Sequence, residues 1–411
     1  MNSKRTIIVY RDELLGVSET FIRAQAESLR RFHSFFVGLR HRAGLSLPEN
    51  RVHVISPPGL VGKFQRARFK LLGPSLSLRR SLARKQPALI HAHFGPDACN
   101  AMALADALNV PLIVSLHGYD ITRSDDRQSR LYLRRRDRLM NKAARFICVS
   151  NFMREQAMAK GFPASKTVVH YTGIDTDFFH PNPQTARVPV VLFVGRLVQE
   201  KGCTYLIRAM ARVQKFVPEA RLVIIGDGPL REDLRLQAAR TLKNYHFLGA
   251  QSAEIVRHWM NRATVFCTPS VMEGFGMVFA EAQAMGLPIA GFETGGVPEA
   301  VAHGETGFLV ATRDWQELAS KLVMLLKAPD LWARFSRAGE LRVRRLFDIH
   351  KQAAALEEIY EEVLGDWHQV TARKRSSRPQ ELLSGGGDSK SPGVVLPSSE
   401  PGIEISLGSI R

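Results

Sequence analysis

The chain has 411 residues, of which 45% are hydrophobic and 23% charged, and its net charge is +18. This length is too great for one ordinary core and the composition too balanced for a disordered chain, so we expect two domains. The four cysteines lie at least 49 positions apart, which offers neither a CxxC zinc pattern nor a disulfide framework and favours a reducing compartment. No apolar run reaches the roughly 18–20 residues that span a bilayer, and residues 1–10 lack a signal-peptide core, so we expect a cytoplasmic protein.

The positive charge is concentrated in the first half of the chain, since residues 1–180 carry +15 and residues 181–411 carry +3. One basic stretch contains no acid and is interleaved with phenylalanine and leucine; its bases are Lys63, Arg66, Arg68, Lys70, Arg79, Arg80, Arg84 and Lys85. A second stretch, from Arg123 to Arg145, carries nine bases against three acids. Either a solvated helix face or a surface that binds anions explains both stretches.

Short apolar runs bounded by turns recur along the first half and are predicted as strands. They are Thr6–Val9, Phe35–Leu39, Val52–Ile55, Leu89–Ala92, Leu112–Leu116, Phe146–Val149 and Thr167–His170. Helical patterns separate most of them, and this alternation predicts a parallel sheet covered on both faces. We therefore expect a doubly wound α/β domain over residues 1–180 and a proline-containing linker over residues 181–189.

The alternation restarts after the linker. The predicted strands are Val190–Val194, Leu222–Ile225, His246–Leu248, Val265–Cys267, Pro288–Gly291 and Phe308–Val310, with helices from about Cys203 and about Leu230. A second doubly wound domain is thus expected over residues 190–345, its segment 315–345 helical by periodicity. An apolar stripe then predicts a helix over residues 346–366; it consists of Leu356, Ile359, Tyr360, Val363 and Leu364. The small and turn-forming residues beyond predict a disordered tail over residues 367–411.

The most informative segment holds two carboxylates eight positions apart, Glu273 and Glu281. The first lies in a glycine-rich loop after the predicted strand that ends at Cys267, and the second about one turn into a helix that begins near Met277. Both can face one pocket, where carboxylates accept hydrogen bonds from sugar or ribose hydroxyls. The free N–H groups at the helix start, from Gly276 to Val278, suit a diphosphate. A surface loop with ordinary acids is the alternative.

Two bases, Arg196 and Lys201, lie on the loop after the first strand of the second domain. A guanidinium and an ammonium there can hold the two phosphates of a nucleotide leaving group as negative charge develops. Solvated loop cations are the alternative reading.

These segments resemble the retaining glycosyltransferases of family 4, which have the GT-B fold of two Rossmann-like domains facing a cleft. The resemblance covers about residues 6–365 and includes Gly226–Leu230, Gly295–Glu299 and Thr306–Val310. It implies that the helix over 346–366 crosses back onto the first domain. It also implies roles for the site residues: Glu281 holds the ribose, Glu273 with the backbone of Gly274 and Phe275 holds the donor sugar, and Arg196 with Lys201 holds the diphosphate; Gly276, Met277 and Val278 complete the donor site.

In the first domain, Leu116–Asp120 looks like the family's cleft histidine loop, which implies that His117 contacts the donor sugar and is catalytic together with Glu273. Residues 16–22 and 91–97 look like the bacterial exopolysaccharide branch, including colanic-acid and amylovoran transferases. Gly16 and the N–H groups after it are expected to approach the diphosphate or the acceptor, in a loop with Ser18 as helix N-cap and Glu19. This loop departs from the glycine pair that many family members have.

The resemblance implies retaining transfer of a sugar from a UDP- or GDP-sugar to a lipid-linked saccharide, in exopolysaccharide or lipopolysaccharide synthesis. No cofactor is expected. A metal-holding role for Asp175-Thr176-Asp177 is disfavoured because these residues match the family's turn before the linker, and His91 and His93 are expected to line or pack the cleft. The protein is expected to be peripheral on the inner face of the cytoplasmic membrane, with an anionic membrane surface as partner and no nucleic acid.

Other classes remain as alternatives. A catalytically silent carbohydrate- or nucleotide-binding GT-B protein would need the same pocket, and a basic nucleic-acid-binding protein would explain the charge, although no zinc, RRM or coiled-coil signature accompanies it. A dinucleotide-dependent oxidoreductase fits poorly, because Arg231 stands where the third glycine of GxGxxG belongs.

Overall fold

The computed structural model describes residues 4–16, 19–41, 44–122 and 128–376. Residues Met1–His368 form one compact unit. The second unit, Gln369–Arg411, is described only as far as Ser376, where a helix ends. The domain boundaries expected at residues 180, 190 and 345 stay predictions.

The first half of the chain builds a seven-stranded, wholly parallel sheet of strand order β3-β2-β1-β4-β5-β6-β7. Its strands are β1 (Arg5–Leu14), β2 (Phe32–His41), β3 (Val52–Val54), β4 (Pro87–His93), β5 (Leu112–Leu116), β6 (Arg145–Cys148) and β7 (Thr167–Val169). The helices between and after them are α1 (Thr20–Glu27), α2 (Gly59–Leu72), α3 (Leu76–Ala83), α4 (Gly95–Leu108), α5 (Tyr119–Thr122), α6 (Arg130–Lys142) and α7 (Asn151–Ala159).

The second half builds a six-stranded parallel sheet of order β10-β9-β8-β11-β12-β13. Its strands are β8 (Val190–Val194), β9 (Arg221–Ile225), β10 (Tyr245–Gly249), β11 (Val265–Cys267), β12 (Ile289–Phe292) and β13 (Gly307–Val310). Its helices are α8 (Cys203–Phe216), α9 (Arg231–Thr241), α10 (Ala253–Arg262), α11 (Met277–Ala284), α12 (Val297–Ala300), α13 (Trp315–Lys327) and α14 (Pro329–Leu346), and α15 (Ile349–Ser376) follows. We call the two sheets with their helices the first and second lobes.

The central strand β8 is apolar at every position because its sheet is covered on both faces. On β8, Val191 and Phe193 belong to one hydrophobic layer, whereas Leu192 between them belongs to the other. This alternation is the period of two that a strand buried on both sides requires. The doubly wound α/β architecture expected from the sequence is therefore confirmed.

Helix α15 packs across the first lobe. Its buried Leu356, Tyr360 and Val363 share a hydrophobic layer with Ile7 and Phe32 of the first sheet. The carboxylate of Glu357, which is only 3% exposed, accepts hydrogen bonds from the backbone N–H groups of Arg30 and Arg31 at 2.7 and 2.6 Å. The apolar stripe read from the sequence is thus the docking face of this helix.

Two boundaries differ from those expected. The disordered tail expected from residue 367 is wrong for its first turns, since α15 continues to Ser376; no proline or glycine interrupts the segment between Gly365 and Ser376. The remainder of that tail, residues 377–411, lies outside the described residues. The segment 315–345, which is expected to be helical, forms two helices, because Pro329 has no N–H to continue the first. Within the described ranges, no helix is both long and apolar enough to cross a bilayer.

Both sheets reverse their strand order at one point, between β1 and β4 in the first lobe and between β8 and β11 in the second. Connections leave such a point in opposite directions, which opens a crevice at the carboxyl ends of the strands. The loops after these four strands are therefore where a ligand site is expected.

Candidate active site

In the second lobe, the loops after β8 and β11 press against each other. Gly202 has a φ of +65°, and a Cβ there would lie 1.9 Å from the carbonyl oxygen of Pro269, so only glycine fits this position. The N–H of Val271 donates to the carbonyl of Glu200 at 2.8 Å. The two loops thus form one rigid rim of the crevice.

This contact brings together two residues that the sequence assigned to different parts of a donor. Lys201 forms an ion pair with the carboxylate of Glu273, and the hydroxyl of Ser270 donates to the same carboxylate at 3.2 Å. The two charged side chains are 20% and 14% exposed. Each charge is therefore compensated by the other, while both remain accessible from the crevice.

The second carboxylate, Glu281, lies one turn into α11, as the spacing predicts. Burial raises the pKa of this carboxyl to about 7, and no ion pair within the described part of the chain offsets that cost. Arg196, by contrast, is exposed, and none of the ion pairs among described residues includes it. The structure thus brings Lys201 and Glu273 into contact and leaves Arg196 outside that contact.

The start of α11 has the features of an anion site. Gly276 is the N-cap with a φ of +86°, and no side chain caps the helix. Met277 and Val278 are half-buried, whereas Phe275 is buried against Tyr171 at 5.4 Å between ring centroids. Uncapped N–H groups at a helix start favour a negative charge, so the helix start suits the diphosphate predicted for it.

In the first lobe, a column of histidines consists of His91 and His93 at the end of β4 and His117 directly after β5. His91 and His93 stack with their ring centroids 4.4 Å apart, and Nδ1 of His93 is hydrogen-bonded to Nε2 of His117 at 3.0 Å. Burial lowers the pKa of His117 to about 3, so its imidazole is neutral at physiological pH. Since His93 occupies Nε2, Nδ1 is the nitrogen of His117 through which a ligand would bind.

His91 is bonded at both ring nitrogens. Its Nδ1 lies 2.7 Å from the hydroxyl of Tyr360 on α15, and its Nε2 lies 2.8 Å from the hydroxyl of Ser115. Burial lowers the pKa of His91 to about 3. This residue therefore anchors α15 from inside the sheet, in agreement with the packing role expected for it.

A charge cluster beside these histidines contains the buried Arg11 and Asp97, which the sequence reasoning missed, and the half-buried Glu19. The guanidinium of Arg11 forms ion pairs with Asp97 and Glu19 and lies 4.3 Å from the ring centroid of Phe94, which in turn packs on His117. Burial, reinforced by the nearby carboxylate of Asp12, raises the pKa of Asp97. Phe94 has a φ of +68°, a strained value for a residue with a Cβ that the cluster around it holds in place.

This cluster changes the reading of the Gly16 loop. The N–H of Gly16 donates to the carboxylate of Glu19 at 3.2 Å, so it is already occupied. Helix α1 begins at Thr20 with Glu19 in the N-cap position, and Arg11 and Gly16 hold the carboxylate of Glu19. Ser18 itself lies outside the described residues. Contact of Gly16 with a phosphate or acceptor stays a prediction.

The two lobes meet at the loops that carry His117 and Glu273. A Cβ on Gly274 would lie 2.7 Å from the carbonyl oxygen of His117, and the hydroxyl of Ser150 donates to the Gly274 carbonyl at 2.6 Å. Glu299 accepts hydrogen bonds from the N–H groups of Asn151 and Phe152 at the start of α7. The histidine column and the Lys201–Glu273 pair therefore face the same crevice from opposite sides.

The Asp175-Thr176-Asp177 string forms a turn. Asp175 accepts hydrogen bonds from the N–H groups of Asp177 and Phe178 at 3.0 and 2.9 Å, and the hydroxyl of Thr176 donates to Asp348. Across the part of the chain that the structure describes, no group of three or more His, Cys, Asp or Glu side chains is arranged to hold a metal ion.

Comparison with protein families gives two adjoining matches. A family model described as Glycosyl transferases group 1 matches residues 175–342. A model described as Glycosyltransferase Family 4 matches residues 18–178. The boundary between them follows β7, where the first sheet ends.

Comparison with individual proteins gives relatives of the same kind. The chain is 31% identical over 327 residues to a glycogen synthase of Mycobacterium tuberculosis, covering 77% of this chain and 75% of that protein. It is 32% identical over 249 residues to a GDP-mannose-dependent alpha-(1-6)-phosphatidylinositol monomannoside mannosyltransferase of Mycolicibacterium smegmatis, covering 56% and 64% of the two chains. The crystal structure of Anabaena HepE in complex with UDP-glucose matches with a TM-score of 0.72 at 23% identity, covering 87% and 99%.

Proposed function

Because this chain belongs to the glycosyltransferases, with a family 4 domain followed by a group 1 domain, we propose that it transfers a sugar from a UDP- or GDP-sugar to a lipid-linked saccharide. The anomeric configuration is retained, and the product enters exopolysaccharide or lipopolysaccharide synthesis in the branch that includes colanic-acid and amylovoran transferases. The reaction takes place at the inner face of the cytoplasmic membrane and needs neither a cofactor nor a metal.

The observation that carries this proposal is the accessible Lys201–Glu273 ion pair at the strand-order reversal of the second lobe. A bound diphosphate gives Lys201 a stronger anionic partner than one carboxylate. Glu273, released from the ammonium, then accepts hydrogen bonds from the hydroxyls of the donor sugar. Donor binding thus exchanges an internal ion pair for two contacts to substrate, so no buried charge is left without a partner.

The other donor contacts follow from the same rim. Glu281 accepts the ribose hydroxyls, because it is a half-buried carboxyl with no internal partner among the described residues. The uncapped start of α11 receives the diphosphate, with the backbone of Gly274 and Phe275 beside the sugar. Arg196, which is exposed, contacts the diphosphate together with Lys201.

Catalysis in this proposal is positioning and charge stabilisation inside the crevice. His117 contacts the donor sugar through Nδ1, and the Gly16–Glu19 loop contributes to the acceptor side. We assign no protein nucleophile. The departing phosphate, held by Lys201 and the helix start, helps to deprotonate the acceptor hydroxyl on the same face of the sugar.

The names of the relatives support the two halves of this proposal. Anabaena HepE binds UDP-glucose, and the mannosyltransferase of M. smegmatis uses GDP-mannose and a phosphatidylinositol-based lipid. A nucleotide-sugar donor and a lipid-borne acceptor are therefore both found among proteins similar to this chain.

The test is nucleotide release by the purified chain incubated with UDP- or GDP-sugars and membrane lipid extract. We expect release that depends on one donor and on the extract, and that is lost in Lys201→Ala. Lys215→Ala, which removes an exposed lysine of α8, is the matched control and should be fully active. Donor binding without any release in all conditions contradicts the proposal and favours the catalytically silent binding protein.

A further inference from the structure

Helix α2 presents large apolar side chains to solvent. Leu60, Val61, Phe64, Leu71 and Leu72 are between 65% and 82% exposed. Leucine, valine and phenylalanine are normally buried, and a contiguous exposed group of them marks an interaction site.

These side chains lie on one side of a helix that is itself anchored. Gly62 and Phe69 are buried, and a Cβ on Gly62 would lie 1.7 Å from the carbonyl oxygen of Pro57. With 3.6 residues per turn, Leu60, Phe64 and Leu71 point within about 40° of one another, away from the buried side. The apolar face is therefore surplus to the core of the first lobe.

Positive charge surrounds this apolar face. Lys63 and Arg68 on α2 are exposed, and so are Arg79 and Arg80 on the adjoining α3 and Arg84 directly after it. No Asp or Glu occurs in the sequence between Glu49 and Asp97. The surface thus combines long apolar side chains with bases whose charge has no acid nearby in sequence.

We propose that α2 and α3 form a docking surface for an anionic lipid bilayer. Leu60, Phe64 and Leu71 insert among the acyl chains, while Lys63 and Arg68 remain at the level of the lipid phosphates. This inference rests on the proposed function, because docking is useful to an enzyme whose acceptor is anchored in the membrane. A first lobe that is bound to the bilayer lies next to such a lipid-linked acceptor.

The mixture of side chains favours a bilayer over other polyanions. A nucleic acid offers phosphates but no apolar layer for protruding leucines. Proteins that bind nucleic acids instead combine basic residues with aromatic side chains that stack on the nucleobases. The bilayer interface offers both partners within a few ångströms of depth, and two signals together give stable attachment where one gives only weak binding.

The experiment is co-sedimentation of the full chain with phosphatidylcholine vesicles that contain or lack about 30% phosphatidylglycerol. The apolar variant is Leu60→Ser/Phe64→Ser/Leu71→Ser, and the charge variant is Lys63→Gln/Arg68→Gln/Arg79→Gln. The matched controls alter exposed residues of the second lobe: Phe216→Ser/Leu236→Ser/Ile255→Ser and Arg212→Gln/Lys215→Gln/Arg240→Gln. All substituted side chains are exposed, so each variant is expected to fold, which its melting temperature checks.

We expect binding only to the anionic vesicles, weakened roughly fivefold for each base removed and by salt at about 500 mM. The apolar variant should lose at least tenfold in affinity, and both controls should bind like the parent chain. Equal binding by parent and variants overturns the proposal. So does a preference for duplex DNA over vesicles, or conversion of a dimer to a monomer by the apolar variant with vesicle binding unchanged.

The docking surface and the proposed reaction can be tested independently. Nucleotide release in detergent-dispersed lipid extract does not require a bilayer, so variants that fail to bind vesicles should keep it. Release without vesicle binding by the parent chain contradicts the docking surface alone, and vesicle binding without release contradicts the proposed reaction alone.

Discussion

The two lobes share one scaffold but use its crevice differently. Both sheets reverse their strand order beside the first strand of the lobe, between β1 and β4 and between β8 and β11, so both offer the same kind of ligand site. In the second lobe, the crevice holds side chains with replaceable partners: Lys201 with Glu273, and Glu281 without an ion pair among described residues. In the first lobe, Arg11, His91 and His93 are buried in contacts that bind the protein to itself.

This difference shows which side chains can exchange an internal partner for a substrate. An ion pair that is 20% and 14% exposed can be exchanged for a ligand at small cost. The ion pair of Arg11 with Asp97, two buried residues, cannot, because breaking it leaves a buried charge without a partner. We therefore expect the second lobe to bind the donor and the first lobe to hold His117 in place.

The largest effect is expected at Lys201, which tests the contrast between the two lobes most directly. Lys201→Ala should lower kcat/KM by about 10²–10³-fold, because it removes a charge that stabilises the departing diphosphate. The melting temperature should stay within roughly 2 °C of the parent, since a partly exposed ion pair contributes little to stability. Steady-state kinetics and calorimetry measure both. A large loss of melting temperature would place Lys201 with the structural residues.

Glu281→Gln should separate function from stability. Burial raises the pKa of Glu281 to about 7, whereas the unfolded value is about 4.3. The native state therefore binds this proton more tightly than the unfolded state does. As a result, the free energy of unfolding falls as the pH rises from about 4.5 to about 7. A glutamine at this position carries no charge at any pH, so the variant does not show this fall.

The variant is accordingly expected to melt roughly 2–4 °C higher than the parent at pH 8 and close to it at pH 5. Its kcat/KM should fall about 100-fold, because the amide is a weaker acceptor for ribose hydroxyls than a carboxylate. Thermal melts at the two pH values and donor kinetics provide the test. A lower melting temperature at pH 8 would mean that the carboxylate is bound internally.

A smaller effect is expected at His93, which acts through His117. His93→Ala removes the partner of His117 Nε2 and should lower kcat about tenfold with little change in the KM of the donor. His93→Asn places an amide near the position of Nδ1 and should restore part of kcat. Equal losses in both variants, in proportion to their loss of melting temperature, would make His93 a packing residue only.

The smallest effect on activity is expected at Tyr360. Tyr360→Phe leaves Nδ1 of His91 without its partner and should lower the free energy of unfolding by about 1–2 kcal/mol. Denaturant unfolding measures this, with Tyr245→Phe in the second lobe as the control expected to show no loss. Transfer activity should be unchanged, and a drop in kcat would extend the active site as far as α15.

The second lobe can be predicted from the sequence more accurately than the first, and the reason is physical. Strand β8 is predicted to the residue, and the eight-residue spacing from Glu273 to Glu281 already implies the helix start at Met277. These features depend on neighbours along the chain. The pairing of Lys201 with Glu273 joins residues 72 positions apart, and no local pattern encodes it.

The first lobe depends more on such distant pairs. His91 meets Tyr360 across 269 positions, and Arg11 meets Asp97 across 86. The carboxylate of Glu19 is placed in the same way, since Arg11 of strand β1 forms an ion pair with it. The residue type of Glu19 is visible in the sequence, but the partner that strand β1 supplies is not.

The path of α15 has a consequence for the order in which the protein matures. Strand β7 completes the first sheet at Val169, yet the layer that covers it is finished only by Leu356, Tyr360 and Val363. At a synthesis rate of about 5–20 residues per second, roughly 10–40 s separate the two events. During that interval we expect the nascent first lobe to expose an apolar sheet face, so the lobe that is synthesised first is the last to be completed.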